Sequence, residues 1–154
     1  MNYVDPDEGV KIIGDGGHAK VVRECDFFAG RCIVAIGDNM ARKKEAEAEP
    51  MPFAVALHEK SVLADGVHLG AGTVVMAGAV VQPGTVIGKH CIINTCASVD
   101  HDCTLGDFVH VAPGARLCGN VTVGEGALIG AGAVCVPGAV IAPWSLVKAG
   151  SVAK

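Results

Sequence analysis

The chain has 154 residues, a formal net charge of −4 and seven cysteines. The length fits one domain or two small ones, and the acidic balance gives no support for binding nucleic acid or anionic membranes. No apolar run approaches the roughly 18 residues that a membrane-spanning helix requires, and the stretch Met1–Val10 lacks the apolar centre of a signal peptide. The odd number of cysteines and the lack of a CxxC pair favour free thiols in a cytoplasmic protein over a disulfide framework.

Residues 1–60 show the alternation of strands and helices that is typical of a small α/β unit. Short apolar strands are predicted at 10–13, 31–36 and 53–57, and helices at 19–28 and 39–49, the second capped by Asn39. Such an order indicates helices packed on a parallel sheet. We therefore expect a shortened, Rossmann-like subdomain over residues 1–60.

A glycine-rich turn, Gly14 to Ala19, joins the first predicted strand to the first helix. Free N–H groups at a helix start attract anions, and the spacing also fits a loose dinucleotide fingerprint with Asp38 as the ribose ligand. A tight turn without a ligand is the alternative. A nicotinamide enzyme is disfavoured because about 55 residues are too few for a full dinucleotide-binding fold, and nothing downstream resembles a hydride-transfer site.

From Leu63 to Val147, every sixth residue is a branched aliphatic, with Cys135 as the one exception. Three residues after these positions, nine of fifteen residues are glycine, and the following position is always small or β-branched. A period of six fits neither a helix nor a plain strand. It indicates a short strand plus a turn, three of which form a triangular coil of about 18 residues. We therefore predict a mainly β protein whose residues 61–154 form a parallel β-helix of about five coils.

The densest cluster of reactive side chains interrupts the glycine column in the middle of this repeat. It contains Asn94, Asp100, His101, Asp102 and His110. A histidine flanked by carboxylates suits a general base, whereas a solvated polar side of the prism is the alternative. His101 and His110 are half a coil apart and so belong to different sides of one prism. We therefore expect sites between subunits, as in a cyclic trimer.

A zinc site is a further possibility. Hexapeptide β-helices of the gamma-carbonic-anhydrase type hold zinc with three histidines between subunits, and His68, His90, His101 and His110 are the candidate ligands here. The close histidine pair of that family is absent, so we expect no metal.

The sequence resembles the hexapeptide sugar acetyltransferases, namely the sialic acid O-acetyltransferases and the bacillosamine-pathway N-acetyltransferases of UDP-amino sugars. The resemblance covers nearly the whole chain. It is carried by Ile12–Lys20, Ala35–Asn39 with Arg42–Lys44, Ile93–Thr95 with Ser98–Cys103, and His110–Ala115. It implies a left-handed β-helix, acetyl-CoA as the co-substrate, a homotrimer, and a sugar or nucleotide sugar as the acceptor. The sequence does not distinguish acetylation of an amine from acetylation of a hydroxyl group.

The resemblance also implies roles for individual residues. His101 matches the general base and Asp102 the acid that raises its basicity. The matches to cofactor-binding positions are His110, Gly119, Ala131 and Ala149. The matches to substrate-binding positions are Gly16, Gly17, His18 and Gly37. His101 would take a proton from the attacking amine or hydroxyl, and the Gly119 amide would stabilise the oxyanion.

Two departures from the family pattern qualify these expectations. Only 16 residues separate His18 from Ala35, so we expect the family strand that ends in acidic, sugar-nucleotide-binding residues to be missing. The sequence also stops at Lys154, where the family continues with a strand and tail that cover the CoA. A catalytically degenerate trimeric scaffold is therefore the alternative to an active enzyme.

Overall fold

The computed structural model describes residues 2–4, 9–28 and 31–154. Its first elements are β1 (Asn2–Val4), β2 (Lys11–Ile13), α1 (Gly17–Val22), β3 (Asp26–Phe28), β4 (Cys32–Val34), α2 (Asn39–Ala48) and β5 (Val55–Leu57). β2 pairs in parallel with β4 and antiparallel with β1, which gives a small three-stranded sheet. Neither helix in these ranges is long and apolar enough to cross a membrane.

Two local predictions for this segment are wrong. α1 ends at Val22 instead of Phe28, because strand β3 begins only four residues later. α2 is capped by Asp38 instead of Asn39: the Asp38 Oδ1 accepts a hydrogen bond from the Ala41 amide at 2.8 Å. Between α1 and β4 the described residues include one strand, β3, which pairs antiparallel with β5 and does not join the three-stranded sheet. The expectation that the family's sugar-nucleotide-binding strand is missing therefore stays a prediction.

Residues 61–154 form a regular series of two-residue strands, one in every six residues. They are β6 (Val62–Leu63), β7 (His68–Leu69), β8 (Val74–Val75), β9 (Val80–Val81), β10 (Val86–Ile87), β11 (Ile92–Ile93), β12 (Ser98–Val99), β13 (Thr104–Leu105), β14 (His110–Val111), β15 (Arg116–Leu117), β16 (Thr122–Val123), β17 (Leu128–Ile129), β18 (Val134–Cys135), β19 (Val140–Ile141), β20 (Leu146–Val147) and β21 (Val152–Ala153). Strands three apart in this series pair in parallel, which confirms the predicted parallel β-helix of about five coils.

The stacked strands form a three-sided prism. Face one contains β6, β9, β12, β15, β18 and β21; face two contains β7, β10, β13, β16 and β19; face three contains β8, β11, β14, β17 and β20. β5 and β3 extend face three at its first coil. Part of the N-terminal segment is therefore continuous with the prism, and the division at residue 60 stays a prediction.

The aliphatic residues of the six-residue period form the core of the prism. Val75, Val81, Ile93, Val99 and Val111 have no exposed surface. Burying an aliphatic side chain of this size contributes about 1.5–3 kcal/mol. The column is looser at its ends, where the first and last aliphatics are only partly buried. The middle coils therefore provide the most rigid part of the frame.

The glycine column of the sequence corresponds to the turns of the prism. All fifteen positions have a left-handed backbone, with φ between 54° and 80°. We call the turns after face one corner one (positions 66, 84, 102, 120 and 138), those after face two corner two (72, 90, 108, 126 and 144) and those after face three corner three (78, 96, 114, 132 and 150). Six positions carry a side chain although this conformation costs an L-residue about 1–2 kcal/mol; they are His90, Cys96, Asp102, Phe108, Asn120 and Trp144.

Corner two joins the prism to the N-terminal segment through stacked rings. The His90 and Phe108 rings are nearly parallel, with centroids 5.0 Å apart and an interplanar angle of 7°. Phe53, just before β5, meets the His90 ring edge-on at 4.4 Å. Lys43 of α2 lies over the Phe108 ring, with its Nζ 5.7 Å from the centroid. The side chains at these left-handed positions therefore provide the surface on which the N-terminal segment packs.

Arg42 is the polar centre of the same contact. It is 1% exposed, and its guanidinium donates hydrogen bonds of 2.8 and 2.9 Å to the carbonyls of His90 and Phe108 in the prism. It also donates to the carbonyls of Ile36 and Gly37, at 2.9 and 3.2 Å, and to the side-chain oxygen of the first residue of α2, at 2.8 Å. Burial lowers the pKa of Arg42 to about 10. Backbone dipoles thus hold a buried cation between the two parts of the chain.

Replacing Arg42 should strongly destabilise the protein. Arg42→Met keeps the apolar stem but leaves buried carbonyls without donors, each at a cost of about 1–3 kcal/mol. We expect a loss of at least about 3 kcal/mol, or roughly 6–12 °C in Tm for a chain of this length, by thermal denaturation followed by circular dichroism. Lys44→Met, at an exposed position of the same helix, is the control and should change stability by no more than about 0.5 kcal/mol. Equal Tm values for the two variants would contradict this account of the contact.

The buried ring of His90 should make stability depend on pH. Burial, with a smaller effect from the nearby Arg42 cation, lowers the pKa of His90 to about 4. In the unfolded chain the ring binds a proton near pH 6.5, so acid favours unfolding and the stability from this group is lost as the pH falls from about 6.5 to 4. His90→Phe keeps the ring and should flatten the decline of Tm between pH 7.5 and 5. His68→Phe, at an exposed position on face two, should keep the wild-type slope, and an equal slope in all three proteins would refute the assignment.

Candidate active site

His101 and Asp102 lie in the turn that follows β12, at corner one. The left-handed backbone of Asp102, with φ of 57°, turns its side chain towards its neighbour, and Oδ2 lies 2.8 Å from the His101 Nδ1. In an extended strand, adjacent side chains point to opposite sides. The strained turn is therefore what allows two consecutive residues to form a hydrogen-bonded pair.

The carboxylates around His101 favour a basic imidazole. The hydrogen bond to Asp102 raises the pKa of His101, and the charge of Asp100 acts in the same direction. Asp100 also accepts the backbone N–H of His101 through Oδ1 at 2.8 Å, which holds the turn. Because a carboxylate only accepts hydrogen bonds, the neutral ring keeps its proton on Nδ1. The lone pair of Nε2 on this exposed side chain is then available to take a proton.

The next coil leaves room for the His101 ring at Gly119. A Cβ atom on Gly119 would lie 2.6 Å from both Cε1 and Nε2 of His101, so any side chain there would displace the ring. Among the described residues, the Gly119 N–H has no hydrogen-bond acceptor. A free backbone donor therefore lies beside the atom that would act as the base, which is the arrangement that oxyanion stabilisation requires.

The other positions predicted to bind the cofactor are not gathered around His101 within one chain. Ala131 and Ala149 lie at corner three in successive coils, joined by a 2.9 Å hydrogen bond from the Gly150 amide to the Ala131 carbonyl. His110 lies on face three, in β14. One copy of the chain thus presents the predicted cofactor positions on two corners and one face, and their roles stay predictions.

His110 is a neutral histidine in a defined tautomer. The Asn94 Oδ1 accepts the Thr95 amide at 2.8 Å, which orients the side-chain amide so that its Nδ2 donates to the His110 Nε2 at 3.1 Å. The ring proton is therefore on Nδ1. Burial lowers the pKa of His110 to about 4, with a smaller effect from Arg42. His110 can orient groups by hydrogen bonds, but it is a much weaker base than His101.

The four predicted substrate-binding residues line a single cavity. It has a volume of about 480 Å³ and is bounded by Gly14–His18 and Ala35–Gly37. The His18 ring lies 6.5 Å from the His110 ring, between centroids, and its buried Nε2 has no partner among the described residues. Burial, followed by the charges of His110 and Arg42, lowers the pKa of His18 to about 4. The imidazole that His18 contributes to the cavity is therefore neutral at pH 7.

Sequence reasoning missed a second concave region beside α2. Two cavities of about 350 and 240 Å³ share Met40 and Trp144, and the smaller one also shares Gly37 with the cavity described above. The sequence held one signal for it: the only tryptophan occupies a position of the glycine column. The central role of Arg42 was also missed, because one arginine in a charged helix has no distinguishing pattern.

The alternative of a zinc site has little support within one chain. In the described ranges, no group of three or more His, Cys, Asp or Glu side chains is arranged to hold a metal ion. The four candidate histidines lie apart: His68 on face two, His90 at corner two, His101 at corner one and His110 on face three.

Asp38, considered above as a ribose ligand, caps α2 with its carboxylate.

Comparison with known proteins identifies the repeat. Residues 66–101 and 102–137 match the family described as "Bacterial transferase hexapeptide (six repeats)". The acetyltransferase domain of PglB from Neisseria gonorrhoeae FA1090 superposes with a TM-score of 0.87 at 33% identity, covering 93% of this chain and 89% of that one. PerB from Caulobacter crescentus, in complex with CoA and GDP-perosamine, gives a TM-score of 0.84 at 35% identity, covering 93% of this chain and 87% of that one.

A further relative matches this chain over a shorter region. GDP-perosamine N-acetyltransferase of Escherichia coli O157:H7 is 32% identical over 102 residues, which is 62% of this chain and 45% of the relative. The match thus spans about half the length of that protein.

The fold and these matches define the class: the chain belongs to the bacterial hexapeptide-repeat transferases and has their left-handed β-helix. Within that class, the Escherichia coli relative is named a GDP-perosamine N-acetyltransferase, the Caulobacter crescentus protein a perosamine N-acetyltransferase, and the Neisseria gonorrhoeae domain an acetyltransferase.

Proposed function

We propose that this protein is an acetyl-CoA-dependent acetyltransferase that acetylates an amino group of a nucleotide sugar. The main observation in support of this proposal is the His101–Asp102 pair, a basic imidazole on an exposed turn with the free Gly119 N–H beside it. A neighbour of known structure, the PglB domain, binds acetyl coenzyme A, and another, PerB, binds CoA and GDP-perosamine. Two relatives are named perosamine N-acetyltransferases, and these names favour an amine over a hydroxyl group as the acceptor.

In the proposed reaction, the neutral amine of the sugar attacks the thioester carbonyl of acetyl-CoA. The His101 Nε2 takes the proton that the nitrogen loses, and Asp102 stabilises the resulting imidazolium. The Gly119 N–H donates to the oxyanion of the tetrahedral intermediate. When the carbon–sulfur bond breaks, the proton on His101 passes to the departing thiolate, which gives an acetamide and free CoA.

We place the acceptor in the cavity bounded by Gly14–His18 and Ala35–Gly37, and the site at an interface of a homotrimer. Gly16, Gly17, His18 and Gly37 all line this cavity, which supports their predicted role. Because Gly119 lies at corner one and Ala131 and Ala149 at corner three, two prisms packed side by side are needed to bring these positions to one acetyl-CoA. A cyclic trimer would provide three equivalent clefts of this kind.

The role of His101 is tested by His101→Asn. General-base catalysis contributes about 10²–10⁴-fold, so acetyl transfer to a panel of UDP-, GDP- and dTDP-linked amino sugars should fall by that factor, measured as CoA thiol release. Acetyl-CoA binding by calorimetry, Tm, and the trimer mass by light scattering should not change, because the side chain is exposed. His68→Asn, at an exposed position on face two, is the matched control.

Two results would contradict the proposal. Near wild-type turnover in His101→Asn would remove His101 as the base. Failure of the wild-type protein to bind millimolar acetyl-CoA would favour the alternative of a non-catalytic trimeric scaffold, for which the shortened substrate-binding segment is the motivating feature.

A further inference from the structure

Both oxygen atoms of the Asp102 carboxylate have a close neighbour in the structure. Oδ2 lies 2.8 Å from the His101 Nδ1. Oδ1 packs directly against Gly84, the equivalent left-handed position of the preceding coil, where a Cβ atom would overlap it. The Asp102 amide also donates to the carbonyl of Pro83 at 3.1 Å, so backbone and side chain are both anchored to the same turn.

This contact follows a packing rule of the prism corners. A side chain at a left-handed position leans back onto the residue one coil earlier, as His90 does on Gly72, Cys96 on Gly78 and Trp144 on Gly126. At corner one, Gly84 is the glycine that such a side chain covers. By contrast, Gly66 and Gly138 of the same corner have φ values of 78° and 72°, close to the 74° of Gly84, but a Cβ on either would meet nothing within 4 Å.

The left-handed backbone by itself therefore explains why positions 66 and 138 are glycine. At position 84 a side chain would also collide with the Asp102 carboxylate. We propose that Gly84 is a positioning residue for acetyl transfer, because its missing side chain forms the space that holds the Asp102 carboxylate against His101. The expected effect on acetyl transfer rests on the function proposed above, whereas the expected effect on the position of Asp102 does not. A methyl group at 84 would push Oδ1 away and turn Oδ2 out of line with Nδ1.

The experiment compares Gly84→Ala with Gly66→Ala. Both substitutions place alanine at an exposed left-handed position of corner one, so both carry the same backbone strain, but only the first displaces Asp102. The pKa of His101, followed by NMR of the ring protons, should be lower than the wild-type value in Gly84→Ala and unchanged in Gly66→Ala. Gly84→Asn and Gly66→Asn provide a second pair, because asparagine tolerates this conformation better than alanine.

Enzyme kinetics should also separate Gly84→Ala from Gly66→Ala. In Gly84→Ala, kcat should fall by between about tenfold and 10²-fold, the range for misplaced catalytic groups. The acidic limb of its pH–rate profile should move to lower pH, because a His101 with a lower pKa stays neutral in more acidic solution. In an Asp102→Asn background, Gly84→Ala should lower the pKa of His101 no further, since the carboxylate it acts through is gone.

Equal His101 pKa values in Gly84→Ala and Gly66→Ala, or an additive effect in the Asp102→Asn background, would overturn the inference. The NMR measurement needs no turnover, so it keeps the two proposals separate. If the wild-type protein proves inactive, the proposed function fails while the positioning of Asp102 is still tested. If the protein is active but Gly84→Ala behaves like Gly66→Ala, only this inference fails.

Discussion

The structure depends on one buried cation. Arg42 brings a full positive charge to a place where its hydrogen-bond partners are four carbonyls and one amide oxygen. Such a group is costly to bury unless every donor is used, so the contact fixes the distance and angle between α2 and corner two. The same charge helps to keep His18, His90 and His110 neutral. One interaction thus joins the N-terminal segment to the prism and adds to the effect of burial in lowering the pKa values of these three histidines.

The prism combines rigidity with local strain. Its aliphatic core specifies a repeating frame, and the left-handed corner positions favour glycine at each turn. Where another residue takes such a position, its side chain is directed back along the prism axis and gains contacts that a glycine would lack. At corner two these contacts are aromatic and hold α2. At corner one they place Asp102 beside His101, so the same backbone strain serves assembly at one corner and the proposed chemistry at another.

The two histidines at the candidate site have opposite electrostatic surroundings. His101 is exposed between carboxylates, which raise its pKa, whereas the partial burial of His110, with a smaller effect from Arg42, lowers its pKa. The two residues are of the same type, so it is their surroundings that make His101 a base and His110 a neutral hydrogen-bonding group. Sequence reasoning selected both histidines, but only the packing around each one separates their abilities. The hydrogen bond from Asn94 further fixes the tautomer of His110, which no spacing rule indicates.

The sequence by itself determined the parallel β-helix, its number of coils, its core column and its left-handed turns, because a strict six-residue period allows few other structures. The His101–Asp102 pair was also predictable, since the two residues are adjacent and interrupt that period. Only the tertiary structure decided the rest. The short N-terminal elements have weak local signals, so the sequence did not locate the end of α1 or the cap of α2. The pairing of β3 depended on β5, which extends face three. The roles of Arg42 and Gly84 arise from contacts between residues in different coils or segments, and such long-range contacts leave no pattern in the sequence.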